Sequence, residues 1–124
     1  MGSVYFIEFA PGRPGHFYIL ISNPTSENKI IISNLSTSPG NCGDNYTITQ
    51  SELRCLSHSS FLRCNNTEMR YCNEIERLIT SGKCIKKATL SNNILAKVQK
   101  TILDCRRVSI EIKDVLRQQL EQST

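Results

Sequence analysis

Two histidines, set among arginines, hydroxyls and cysteines, are the side chains of this sequence best suited to chemistry. His16 and His58 are its only imidazoles. With an unperturbed pKa of about 6.5, an imidazole can give or take a proton near neutral pH. His16 follows the loop Ala10-Pro11-Gly12-Arg13-Pro14-Gly15, and His58 lies in the run LSHSS. Both fall at the mouths of expected strands, where the plainer role is a ring nitrogen bonded to backbone at a bend.

Six cysteines, Cys42, Cys55, Cys64, Cys72, Cys84 and Cys105, allow three readings. Thiolates and imidazole ligate zinc, so Cys55, His58, Cys64 and Cys72 form a conceivable set, but no C-x-x-C pair is present to grip a metal from one turn. Disulfides, together with sequons at Asn34, Asn45 and Asn65, would suit an exported protein. The start MGSVYFIEF carries no basic segment and Glu8 breaks its apolar stretch. A cytoplasmic chain is therefore expected, with reduced, mostly buried thiols and without metal or cofactor. Cys64 and Cys72 are also placed to face each other across a hairpin.

These residues must be positioned by a chain of 124 residues, the size of one domain able to bury a real core. Fifteen basic against eleven acidic residues give +4, with the surplus in the second half, including Lys83, Lys86, Lys87, Arg106 and Arg107. That balance suits a polyanionic partner or simply a solvated helical surface. No apolar run approaches the roughly 18 residues of a membrane span. The absence of a P-loop or a G-x-G-x-x-G run leaves nucleotide-dependent chemistry without a motif.

The first half alternates short β-branched and aromatic runs with Gly, Pro, Asn and Ser clusters. Strands are expected over residues 4–9, 17–22, 29–35 and 46–49, and a hairpin over 60–64 and 69–72 turns at Asn65-Asn66. Five or six closely spaced antiparallel strands point to a barrel or sandwich. The period then changes. Asn73 is an expected N-cap for a helix over 74–81 ended by Gly82, and Lys83, Lys86 and Lys87 fall in a linker. Ser91 caps a longer helix with Ile94, Leu95, Val98, Ile102 and Cys105 on one face. A last helix from about Ser109 carries Ile112, Val115, Leu116 and Leu120, with Gln118–Thr124 fraying. The fold class is thus α+β, a single domain with a β part over 1–72 and a helical part over 73–120.

"GSVYFIEF", "HFYILISNP" and "IIISNLSTS", in that order with short turns between, resemble the opening of the MazF/PemK/Kid toxins. "LSHSSFLR", "IERLITSGK" and "LSNNILAKVQKTILDCRR" are similar to a PemK-like group of small bacterial proteins of undefined role. The resemblance covers most of the chain as a succession of elements. It implies an SH3-like β-barrel of five to six strands followed by two to three helices, usually dimeric. In the toxins this fold cleaves single-stranded RNA without metal and is neutralised by an antitoxin.

Carried over residue by residue, the resemblance implies a cleft at the mouth of the second strand. Metal-free RNA cleavage needs a base for the 2′-hydroxyl proton, an acid for the leaving 5′-oxygen and a donor for the phosphate. His16 and His58 take the acid and base roles. The family's R-P arginine corresponds to Arg13, three residues earlier than in the pattern, where His16 stands instead. The active-site hydroxyl falls on Ser36 with Thr37 beside it, and Arg63 joins them as a phosphate-binding candidate. The first loop is shorter than in the toxins and fixed by two prolines. That departure favours the alternative of a catalytically inactive SH3-like module that binds a protein or nucleic acid. Phe17, Tyr18, Tyr46, Phe61 and Tyr71 are candidates to stack bases, although alternation turns about half of them inward.

Overall fold

The computed structural model describes residues 1–36, 46–56 and 59–122. Alternating runs at the N-terminus form β1 (Ser3–Ile7) and β2 (His16–Leu20), paired antiparallel with Val4 opposite Ile19 and Ile7 opposite His16. Their connection is tight for two different reasons. Gly12 takes φ +77°, a left-handed conformation that glycine adopts freely. Gly15 is constrained by space, since a Cβ there would sit 2.6 Å from the Phe6 ring, which is packed edge-on against Phe17.

β3 (Lys29–Ser36) is the longest strand and the centre of the sheet. Its run Ile30-Ile31-Ile32 is buried throughout, as a strand covered on both faces requires. One edge of β3 pairs with β2, Tyr18 standing opposite Asn34. The other edge takes two partners in succession: β6 (Glu68–Tyr71) opposite Lys29–Ile32, then β5 (Ser60–Leu62) opposite Leu35 and Ser36. β5 also pairs with β4 (Tyr46–Ile48). The expected hairpin at Asn65-Asn66 is therefore corrected. Those residues lie in a short 3-10 helix, Cys64–Asn66, and the strands on either side pair with β3 rather than with each other. One long central strand offers both of them more backbone than either offers the other.

α1 (Cys72–Thr80) grows directly out of β6. Asn73 does not cap it. The Asn73 carboxamide oxygen accepts from Asn28 Nδ2 at 3.1 Å, holding the helix start against the β2–β3 turn. The expected linker after Gly82 is a seventh strand, β7 (Cys84–Thr89), which pairs with β1 in spite of its two lysines because their side chains stay in water at the sheet edge. The path runs β4-β5-β3-β2-β1-β7, and among the described residues no pairing closes it.

α2 (Asn92–Asp104) begins as expected, with the Ser91 hydroxyl accepting from Ile94 N, and α3 (Ile110–Gln122) begins with the Ser109 hydroxyl accepting from Ile112 N. The tail holds its helix through Gln122, because Gln119 trades two hydrogen bonds with the Asn23 backbone at 2.8 and 2.9 Å. Leu95, Val98, Ile102, Ile112 and Leu116 pack with Val4, Ile19, Ile21 and Ile31 on one side of the sheet. Buried Gln99 donates to the Ile21 carbonyl at 3.0 Å, satisfying a polar group within that core. Among the described helices only α1 packs on the opposite side, through Ile75 and Leu78 over Ile7, Ile30, Ile32 and Cys84. Among the described residues the result is an α+β fold of seven antiparallel strands and three α-helices.

Candidate functional site

Because α1 is only nine residues long, it covers one end of its face and leaves the rest accessible. Alternation decides what the uncovered part presents. His16 and Tyr18 on β2 are two residues apart, as are Glu68 and Arg70 on β6, so each pair projects to one face. Asn34, opposite Tyr18 on β3, shares that face.

Two shallow concavities meet along His16 and Tyr18. One, of about 480 Å³, is lined by Ile7, Phe9, Arg13 and Arg70 besides these two residues. The other, of about 470 Å³, is lined by Asn34, Asn65, Asn66, Thr67 and Glu68. Together they form an open groove across the sheet, with an exposed imidazole at its centre and the guanidinium of exposed Arg13 on its rim.

The floor is held by packing and charge. Arg70 lies over the Phe9 ring, 4.3 Å from its centroid, and Phe9 meets Tyr18 edge-on at 5.1 Å. Arg70 Nε donates to Glu68 at 2.9 Å and its terminal nitrogen to Glu74 at 2.8 Å. Burial acts to lower the Arg70 pKa, and the hydrogen bonds and charges of the two carboxylates outweigh it and raise it. Burial likewise raises the Tyr18 pKa, aided by the Glu68 charge and opposed by Arg70, so its phenol stays protonated as a donor. Three buried polar atoms in or behind the groove, Asn34 Oδ1, Asn65 Oδ1 and Arg63 Nε, have no hydrogen-bond partner among the described residues.

The structure thus brings His16 and Arg13 together. Ser36 ends β3, half-buried and two residues beyond Asn34 on its face, but it lines neither concavity. Arg63 follows β5, and its backbone N–H donates to the Asn34 carbonyl at 2.9 Å, which places it behind the groove wall. Thr37 and His58 lie outside the described residues. The zinc reading loses Cys64, whose sulfur sits against Cys105 rather than Cys72. Among the described residues no three His, Cys, Asp or Glu side chains gather to hold a metal. Among the aromatics, Phe17 turns to the far face against Phe6, and exposed Tyr71 carries Lys29 over its ring at 5.1 Å.

Glu68, Arg70 and Asn34 are absent from the residues nominated by sequence. The two-residue spacing of Glu68 and Arg70 was the available signal, and it gains meaning only once β6 is known to lie beside β3. A separate concavity of about 400 Å³ between the Pro24–Lys29 turn and α3 is lined in part by Glu27, Glu111, Gln118, Gln119 and Gln122, beside Lys29. With neither histidine nor arginine in its described lining, it offers no comparable proton chemistry.

Among the described residues no helix is long and apolar enough to cross a membrane. No family model and no curated protein matches the chain. A solved structure described as an endoribonuclease in complex with its cognate antitoxin, from a Mycobacterial species, is similar in fold. It is 12% identical, with a TM-score of 0.54 over 82% of this chain and 87% of that one.

Proposed function

We propose that this chain is the endoribonuclease toxin of a toxin–antitoxin pair, a cytoplasmic homodimer that cleaves single-stranded RNA without metal and is held inactive by its antitoxin. The observation that carries the reading is the convergence of His16, Arg13, Tyr18 and Glu68 on one open groove. The groove lies on a sheet like that of an endoribonuclease.

The chemistry follows from the donors present. A carboxylate such as Glu68 can take the 2′-hydroxyl proton, and the His16 imidazolium can deliver one to the departing 5′-oxygen. Arg13 and the Tyr18 hydroxyl supply donors to the crowded phosphate. The carboxylates of Glu68 and Glu74 both hold Arg70, which leaves the guanidinium of Arg13 on the rim as the groove's other arginine for a phosphate.

A second reading rests on that same ion-pair cluster. Two carboxylates neutralise Arg70, and the prolines of the 10–15 loop fix the rim, as in a module that binds protein or nucleic acid without cutting it. The test is incubation of the purified chain with mixed-sequence single-stranded RNA in EDTA, beside His16→Ala, His58→Ala and Glu68→Gln. Cleavage by the wild type should leave 2′,3′-cyclic phosphate ends and fall by about 100-fold or more in His16→Ala. Undiminished cleavage by that variant removes His16 from the mechanism. Bound but intact RNA in every lane establishes the second reading.

A further inference from the structure

Cys64 opens the 3-10 turn that carries Asn65, Asn66 and Thr67 into the groove wall, and Cys105 caps the C-terminal end of α2. Although 41 positions apart in sequence, the two sulfurs stand 2.9 Å from each other, the Cys64 thiol directed at Cys105. Both side chains are wholly buried in the core between the sheet and α2 and α3. A disulfide bond is about 2.05 Å long, so a shift of less than about 1 Å joins them.

We propose that Cys64 and Cys105 are a site of oxidative modification, a dithiol that a small-molecule disulfide converts into a cross-link between the groove wall and α2. One cysteine, as thiolate, attacks the small disulfide, expelling one of its sulfurs as thiolate and leaving a mixed disulfide. The second cysteine thiolate then displaces the other sulfur. Two electrons and two protons pass from the pair to the oxidant, which leaves as two thiols.

The other described thiols are placed less well. Cys72 and Cys84 belong to the apolar cluster on the opposite face of the sheet, out of reach of the pair. Only Cys55 packs against the same core as the pair. The cross-link would close a long loop in the unfolded chain, raising Tm by roughly 10 °C.

Because both sulfurs are sealed in the folded protein, the test starts from the reduced, denatured full chain, refolded in glutathione buffers of graded ratio, quenched with acid, alkylated and digested for mass mapping. The linked peptides of Cys64 and Cys105 should dominate, appearing at a ratio at least about tenfold more reducing than any other pair requires. Cys55→Ala should keep the link and the rise in Tm, and Cys105→Ala should lose both. A Cys55–Cys64 link in place of the proposed one, or both cysteines alkylated in the most oxidising buffer, overturns the proposal. The wild-type map decides the question even if a variant fails to fold, and it does not depend on RNA cleavage.

Discussion

The two faces of the sheet are built to opposite ends. On one, α2 and α3 lay two apolar stripes over Val4, Ile19, Ile21 and Ile31 and seal them from water. On the other, the shorter α1 shields Ile7, Ile30 and Ile32 and stops, leaving His16, Tyr18 and Asn34 open beyond it. The sealed face reads as the source of stability. The half-covered face can keep partly desolvated polar groups because the strands carrying them are anchored from behind.

This contrast can be broken first by truncating each face. Ile102→Ala, in α2 and fully buried, should cost about 3–4 kcal/mol in urea unfolding, the sum of lost transfer free energy and a residual cavity. Leu78→Ala, half-buried in α1, should cost only about 1–2 kcal/mol. Equal losses would mean that α1 is as much a part of the core as α2, and the distinction between the faces would fall.

Alkaline pH sharpens the contrast further. Under α1, burial sets the Cys84 thiol at about 11 against an ordinary 9.0. The unfolded chain therefore gives up this proton first, so the contribution is complete below about pH 9 and is lost as pH rises through about 11. Unfolding midpoints measured across that window should fall for the wild type and fall less for Cys84→Val.

The smallest expected effect lies in the groove itself. Part of the upward shift of Tyr18 comes from the Glu68 charge, so Glu68→Gln should lower the phenol pKa while leaving the larger contribution of burial in place. Tyrosine-labelled carbon NMR across an alkaline titration reads this directly. An unchanged Tyr18 would separate Glu68 electrostatically from the β2 side of the groove.

The sequence by itself determined the local periods and their ends. Alternation at Val4–Ile7, the triple isoleucine of β3, the Ser91 cap and the helix start near Ser109, with the helices' apolar stripes, are short-range features, and each formed near its expected place. His16 beside the Arg13 loop was legible for the same reason, since fewer than four residues separate them. Tertiary structure alone decided the rest. β5 and β6 became neighbours of β3 instead of each other, and the lysine-bearing segment after Gly82 joined the sheet edge. The physical cause is that strand pairing is set by backbone hydrogen bonds and by which faces can be buried together, and neither leaves a local mark. Glu68 reached the groove with His16, and Cys64 reached Cys105, by contacts spanning dozens of residues that no periodicity records.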